Sequence, residues 1–122
     1  MALIFLVEDD EQQAFLMRRT LENMSHDIIW RRDGTDFMET LLDQMPDLIL
    51  LDLRLPDIDG VELLELVKGN PSTAGIPVVI TTAVDHHELY VQCEAIGFEG
   101  YYVKPLVGDA LIAAINQFVS SN

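Results

Sequence analysis

The sequence contains few basic residues and one cysteine. Only 7 of its 122 residues are lysine or arginine, against 21 aspartates and glutamates, so the formal net charge is −14. Such a charge repels phosphate backbones and anionic lipid, so we expect no direct binding to nucleic acid or to membranes. The lone Cys93 excludes an internal disulfide and favours a reducing compartment.

Long apolar runs and a signal sequence are also missing. The apolar runs are far shorter than the roughly 20 residues that a membrane helix needs. The N-terminal run, residues 2–7, has no basic flank and reaches Glu8 too soon for a signal peptide. We therefore expect a cytoplasmic protein. The length and the hydrophobic fraction of 49% are typical of one globular domain, which we predict over residues 1–122.

Five apolar segments alternate with five amphipathic ones. The predicted strands are 2–7, 27–30, 48–52, 77–82 and 100–103, and the predicted helices are 12–24, 37–45, 61–68, 85–96 and 107–119. The first and third strands show no polar alternation, which is typical of strands buried on both faces of a parallel sheet. The pattern predicts an α/β fold of the flavodoxin-like, doubly wound (βα)5 type, with a five-stranded parallel sheet in the order 2-1-3-4-5.

Polar side chains follow these strands at one edge of the predicted sheet. Glu8 and Asp9 come after the first strand, and Asp52 ends the third. Thr82 ends the fourth strand, and Lys104 follows the fifth. In the order 2-1-3-4-5 the first and third strands are neighbours, and a crevice opens between their carboxyl ends. We therefore expect the three acids to meet there.

Such a cluster of acids has a chemical consequence. Two carboxylates about 4 Å apart repel by roughly 4 kcal/mol at an effective dielectric of about 20. A divalent cation removes this repulsion, and all-oxygen ligands favour Mg²⁺, Mn²⁺ or Ca²⁺ over zinc. Beside such a metal, Asp52 can attack a phosphoryl group and form an aspartyl phosphate. Thr82 offers a hydroxyl, and Lys104 a positive charge, to the phosphoryl oxygens.

Four motifs, in this order, resemble the response-regulator receiver domain of two-component signalling, the family of the chemotaxis regulators. They are residues 6–10 (LVEDD), 51–60 (LDLRLPDIDG), 82–83 (TA) and 100–105 (GYYVKP), and the resemblance covers nearly the whole chain. It implies that Asp52 is the phosphoacceptor. It also implies that Mg²⁺, with Mn²⁺ as the alternative, is bound by Asp9 directly, by Glu8 through water and by the backbone carbonyl of Arg54.

The resemblance also implies a switch. Thr82 matches the threonine that contacts the phosphoryl group, and Tyr101 the aromatic residue that then turns inward. Lys104 matches the phosphate-binding lysine, and Pro105 its customary neighbour, often joined by a cis bond. Receivers take phosphate from a histidine kinase or a histidine phosphotransfer protein, and they hydrolyse it slowly themselves. We therefore expect a phosphorylation-dependent signalling switch that acts on an output domain or protein partner, and no enzyme acting on other substrates.

Two other functions compete with this one. The first is a Mg²⁺-dependent enzyme, either a phosphatase with an aspartyl nucleophile or a nuclease. A phosphatase of the haloacid-dehalogenase type requires two aspartates two positions apart after the first strand, and this chain has Glu8-Asp9-Asp10 there. A nuclease conflicts with the charge of −14. The second is a receiver that no longer takes phosphate, and the complete set of phosphoryl-site residues argues against it.

Some positions outside the site also carry predictions. Phe15 and Leu16 are either partly buried or an apolar contact for the helical bundle of a kinase, a known docking surface in the family. Asp57 and Asp59 are interpreted as turn residues before Gly60. Val84, two residues after Thr82, matches a position thought to tune dephosphorylation. Cys93 is interpreted as part of the core.

Overall fold

The computed structural model describes residues 1–83 and 86–119. Its elements are β1 (Leu3–Val7), α1 (Glu11–Asn23), β2 (Asp27–Arg31), α2 (Phe37–Gln44), β3 (Leu48–Asp52), α3 (Gly60–Gly69), β4 (Val78–Thr82), α4 (His87–Ile96), β5 (Gly100–Val103) and α5 (Gly108–Phe118). The strands form one parallel sheet in the order β2-β1-β3-β4-β5. The predicted fold class and strand order are confirmed.

Two of the helices begin at a capping aspartate. Asp10 begins α1, because its carboxylate accepts a hydrogen bond from the N–H of Gln13. Asp59 begins α3 in the same way through the N–H of Val61, so it is a capping residue. We predicted that α4 starts at residue 85, but among the described residues it starts at His87. Residues 84 and 85 lie outside the described part of the chain, so the predicted role of Val84 stays a prediction.

The core lies on both faces of the sheet. On one face, the buried side chains of Phe5, Val7, Ile49 and Leu51 pack with α2, α3 and α4. Ile4 and Leu50 belong to the opposite face, with α1 and α5. Because helices cover both faces, β1 and β3 have no solvent side, which explains their unbroken apolar sequences. Cys93 is fully buried in the first of these clusters, as predicted.

The register of the sheet brings the polar ends of the strands together. Val7 pairs with Leu51, and Asp52 pairs with Thr81 on the next strand. The carboxyl ends of β1, β3 and β4 are therefore level with one another at one edge. Among the described residues, none of the helices is long and apolar enough to cross a membrane.

Gly60 is held against the strand end that carries Asp52. A Cβ at this position would lie 2.5 Å from the Cα of Leu53 and 2.7 Å from the carbonyl oxygen of Asp52. Both are backbone atoms, so relief requires a shift of the segment that carries Asp52. We expect Gly60→Ala to lower the free energy of unfolding by about 2 kcal/mol, measured by urea denaturation.

Gly69→Ala is the matched control for this substitution. Gly69 ends the same helix, and a Cβ added there would meet nothing within 4 Å. An alanine there reduces the freedom of the unfolded chain, so the expected change is zero or a gain of up to about 1 kcal/mol. Equal losses of stability in the two variants would show that close packing at Gly60 is not the cause.

Candidate functional site

Two buried carboxylates lie side by side at the ends of neighbouring strands. Glu8 follows β1 and Asp52 ends β3, and each is only 1% exposed. Asp9 is exposed at the rim. One carboxylate oxygen from each of the three residues lies within 4.8 Å of the other two. The structure thus brings together the three acids that the strand order predicted at this edge.

Lys104 bridges the two buried acids. Its Nζ donates to Glu8 Oε2 over 2.9 Å and to Asp52 Oδ2 over 2.7 Å. The backbone N–H of Lys104 donates to the carbonyl oxygen of Thr82 over 2.7 Å, which fixes the turn after β5 to the end of β4. The peptide bond between Lys104 and Pro105 is cis, as the resemblance implies.

Both oxygens of Asp52 accept hydrogen bonds. Oδ2 accepts from Lys104, and Oδ1 accepts from the backbone N–H of Arg54 over 2.9 Å. The Arg54 side chain itself is exposed. Asp52 is therefore fixed in orientation by a charged donor on one side and a backbone donor on the other.

Glu8 has one oxygen that is satisfied and one that is not. Oε2 accepts from Lys104 and from the N–H of Asp10. Oε1 is buried and finds no hydrogen-bond partner among the described residues. Leaving a buried acceptor unsatisfied costs about 1–3 kcal/mol. An oxygen-rich set that contains an orphaned buried carboxylate oxygen fits a hard divalent cation.

Burial shifts the pKa values of these groups. It raises the pKa of Glu8 to about 7, against the opposing hydrogen bond from Lys104. It raises the pKa of Asp52 above its usual range, and the Lys104 bond again opposes the shift. Burial alone would lower the pKa of Lys104, but its bonds to Asp52 and Glu8 outweigh this and raise it. Two buried acids thus face one ammonium that stays charged, which leaves the pocket attractive to a further cation.

The predicted switch residues lie on the two strands beyond Asp52. Thr82 is fully buried at the end of β4. Alternation along the strands places it on the same face as Ile80 and Tyr101. The half-buried ring of Tyr101 contacts Tyr90 and Phe98, with centroid separations of 5.0 Å and 5.5 Å. An aromatic cluster therefore lies along the same side of the sheet as the threonine.

Three residues outside the pocket for which predictions were made are Phe15, Leu16 and Asp57. Phe15 is 55% exposed and Leu16 51%, so both side chains lie on the surface, and the contact with a kinase stays a prediction. Asp57 accepts a hydrogen bond from the N–H of Gly34 over 2.9 Å, and it is not among the clustered acids. The turn after β3 is therefore tied to the loop before α2.

Sequence reasoning missed Trp30. It lies in β2, and its indole N–H donates to the backbone carbonyl oxygen of Glu8 over 2.9 Å. The one available signal was the strand order, which makes the second strand the other neighbour of the first. Nothing in the local sequence indicates where the indole points.

The fold and the pocket define a doubly wound α/β protein with its site at the switch point between β1 and β3. Residues 4–116 match the family model described as the response regulator receiver domain. The chain belongs to this family of two-component systems, and phosphorylation-dependent switching is the function of the family. Receiver domains bind a divalent metal, are phosphorylated by kinases and regulate output domains.

Individual relatives agree with this placement. The chain is 35% identical over 114 residues to the luminescence regulatory protein LuxO of Vibrio campbellii, covering 93% of this chain and 25% of the relative. It is 35% identical over 115 residues to the response regulator ArlR of Staphylococcus saprophyticus, covering 94% and 51%. The chain thus spans a quarter to a half of the length of these relatives.

Solved structures agree as well. The crystal structure of the Mn(2+)-bound form of response regulator Rcp1 has a TM-score of 0.85 and 30% identity to this chain. The alignment covers 100% of this chain and 97% of that one. The predicted family, fold and signalling function are confirmed.

Proposed function

We propose that this chain, as one receiver domain over residues 1–122, accepts a phosphoryl group on Asp52 with Mg²⁺ as cofactor. The observation that carries the proposal is the placement of Asp52. It is buried at the switch point, 2.7 Å from the ammonium of Lys104 and within 4.8 Å of two further acids. A carboxylate, an ammonium and two further acids thus meet at one point, which supports their roles as nucleophile, phosphoryl contact and metal ligands.

Glu8, Asp9, Asp52 and the carbonyl of Arg54 would hold Mg²⁺, and Mn²⁺ would substitute for it. When bound, the metal supplies positive charge that offsets the charge of the transferring phosphoryl group. The metal would share this task with Lys104, whose ammonium already neutralises part of the charge of the acids.

The residues of the chain would carry the transfer itself. A carboxylate oxygen of Asp52 forms a bond to phosphorus. The bond from phosphorus to the donor nitrogen or oxygen breaks, and the donor atom keeps the electron pair. Lys104 and the hydroxyl of Thr82 then donate to the phosphoryl oxygens. In slow autodephosphorylation, water attacks the same phosphorus, and Asp52 leaves as a carboxylate.

The switch would run from Thr82 to Tyr101. Movement of the threonine towards the new anionic oxygens frees space on the face that it shares with Tyr101. The Tyr101 ring, packed against Tyr90 and Phe98, would then move inward and change the surface of α4, β5 and α5. We infer that the phosphoryl donor is a histidine kinase or a histidine phosphotransfer protein in the cytoplasm. The changed surface would be recognised by an output domain or protein partner.

Incubation with acetyl phosphate tests this function. Intact-protein mass spectrometry should show a phosphoryl increment with Mg²⁺ and none when the metal is chelated by EDTA. If neither acetyl phosphate nor a phosphohistidine protein gives an increment, the chain is a receiver that no longer takes phosphate. Multiple turnover on phosphate esters would instead indicate a phosphatase.

The affinity for Mg²⁺ should depend on pH through Glu8. Its pKa of about 7 means that a proton competes with the metal below neutrality. We expect the affinity to rise roughly tenfold between pH 6 and pH 8, because the carboxyl group must lose its proton to bind the metal. Isothermal titration calorimetry at several pH values measures this dependence.

Glu8→Gln is the control for the pH effect. The amide keeps the shape of the side chain but does not titrate, so this variant should bind Mg²⁺ more weakly and with a flatter pH dependence. An unchanged pH dependence would assign the titration to a group other than Glu8.

A further inference from the structure

Trp30 completes the backbone pairing behind the acidic pocket. The N–H of Glu8 donates to the carbonyl oxygen of Arg31 over 3.0 Å, at the end of the ladder between β1 and β2. In a parallel ladder, the carbonyl of Glu8 would next accept from the backbone N–H of Asp33. However, β2 ends at Arg31. The indole N–H of Trp30 donates to this carbonyl over 2.9 Å, in the place of a strand donor.

The orientation of the Trp30 ring is fixed from several sides. The ring packs against the core cluster on the α1 and α5 face of the sheet. The guanidinium carbons of Arg18 and Arg32 lie over it, 5.3 Å and 5.9 Å from its centroid. Arg32 is in turn paired with Glu11 at the start of α1. Because the ring is held in this way, its N–H stays directed at the Glu8 carbonyl.

The bond from Trp30 acts on the peptide that joins the first two acids. The Glu8 carboxylate is held by Lys104 and by the N–H of Asp10. The carbonyl that Trp30 holds belongs to the Glu8–Asp9 peptide, from which the exposed Asp9 carboxylate projects at the rim. Loss of the indole donor would let this peptide rotate and would change where both carboxylates point. Hydrogen bonds behind metal ligands fix the ligand orientation on which affinity depends.

We propose that Trp30 is a positioning residue for the metal site: its indole N–H holds the Glu8–Asp9 peptide so that both carboxylates face the same cation. This inference rests on the proposed function of the pocket as a Mg²⁺ site. Trp30 is the only tryptophan in the sequence. Its fluorescence should therefore report on the binding of metal by the two carboxylates on either side of the peptide that its N–H holds.

The test compares Mg²⁺ binding to the wild-type chain and to Trp30→Phe, measured by calorimetry. Phenylalanine keeps an aromatic ring over the core but has no N–H, so we expect binding about tenfold weaker than in the wild type. Far-UV circular dichroism checks that both chains are folded. In the wild type, the tryptophan emission should change on titration with Mg²⁺, with the dissociation constant that calorimetry gives.

Arg18→Met is the matched control, because it removes a stacked guanidinium and keeps the indole donor. It should bind Mg²⁺ with near wild-type affinity. The core cluster and Arg32 still hold the ring in Arg18→Met. Equal weakening in Arg18→Met and Trp30→Phe would therefore overturn the proposal, since the loss of packing around the ring, and not the loss of the N–H, would be the cause. Wild-type affinity in folded Trp30→Phe would also overturn it.

Two further results remain distinguishable. If the wild-type chain does not bind Mg²⁺, the proposed function and this inference both fail. If Trp30→Phe does not fold, Trp30 is replaced by 3-benzothienylalanine, an isostere in which sulfur takes the place of the N–H. Weaker binding in that protein supports the role of the indole donor, and unchanged binding overturns it.

Discussion

Asp52→Asn is expected to abolish phosphoryl incorporation from acetyl phosphate and to leave the chain folded. The amide keeps an oxygen for the N–H of Arg54, which now donates to Oδ1 over 2.9 Å. It carries no negative charge, so it is a far weaker nucleophile than the carboxylate. We expect incorporation to fall by about 10³-fold or more. Intact-protein mass spectrometry after incubation with acetyl phosphate and Mg²⁺ measures this loss.

Asp57→Asn is the matched control for Asp52. Asp57 lies five residues further along the same segment, but it is exposed and its Oδ1 accepts from the N–H of Gly34. An asparagine oxygen can accept the same bond, and the residue is not part of the acidic cluster. This variant should incorporate phosphate at the wild-type level. Incorporation in Asp52→Asn would show that another residue is the acceptor. Loss of incorporation in Asp57→Asn would show that the effect is not specific to Asp52.

Lys104→Met is expected to have opposite effects on phosphoryl transfer and on metal affinity. Lys104 offers the only ammonium that the described residues place against Glu8 and Asp52. Without it a developing phosphoryl charge loses one fixed donor, and the initial rate of incorporation should fall by about 10²- to 10³-fold. The same ammonium repels a divalent cation that shares its carboxylates. Its removal should therefore strengthen Mg²⁺ binding by about tenfold.

Lys68→Met is the control for Lys104→Met, because it shows what the loss of a partly buried lysine does away from the acidic pocket. The Nζ of Lys68 donates to the carbonyl oxygens of Ala74 and Ile76 and to Glu99. Those partners belong to the opposite edge of the sheet, where β4 and β5 begin. This variant should be less stable to urea, with unchanged phosphorylation and metal affinity. Weaker Mg²⁺ binding in Lys104→Met would contradict the competition between lysine and metal.

Much of the fold was available from local patterns. Residues 48–51 form an unbroken apolar run, and such a run is stable as a strand when helices cover both of its faces. The alternation of strands and helices then leaves few connections, which is why the order 2-1-3-4-5 could be predicted. The apolar pattern does not locate the ends of the helices, because a cap such as Asp59 depends on one side-chain hydrogen bond that the pattern does not contain.

The candidate site could be predicted in composition but not in detail. Strand ends placed Glu8, Asp52 and Lys104 at one edge, and the family motifs agree with that placement. Lys104 donates two hydrogen bonds, one to Glu8 and one to Asp52, which lie 96 and 52 positions away in the chain. Its geometry depends on the turn after β5, which no local pattern describes. The exposed fractions of Phe15 and Leu16 likewise depend on how α1 sits against the sheet.

The amino-acid sequence by itself determined the α/β class, the strand order, the family and the acids that cluster at the ends of β1 and β3, because periodicity and strand-end chemistry are local properties. The tertiary structure alone decided that Glu8 is buried, with one oxygen that has no hydrogen-bond partner in the described part of the chain, and that the indole of Trp30 donates to its carbonyl. Burial and side-chain hydrogen bonds join residues that are distant in the chain. They are therefore fixed only when β1 and β2 pair in register and the helices close over them.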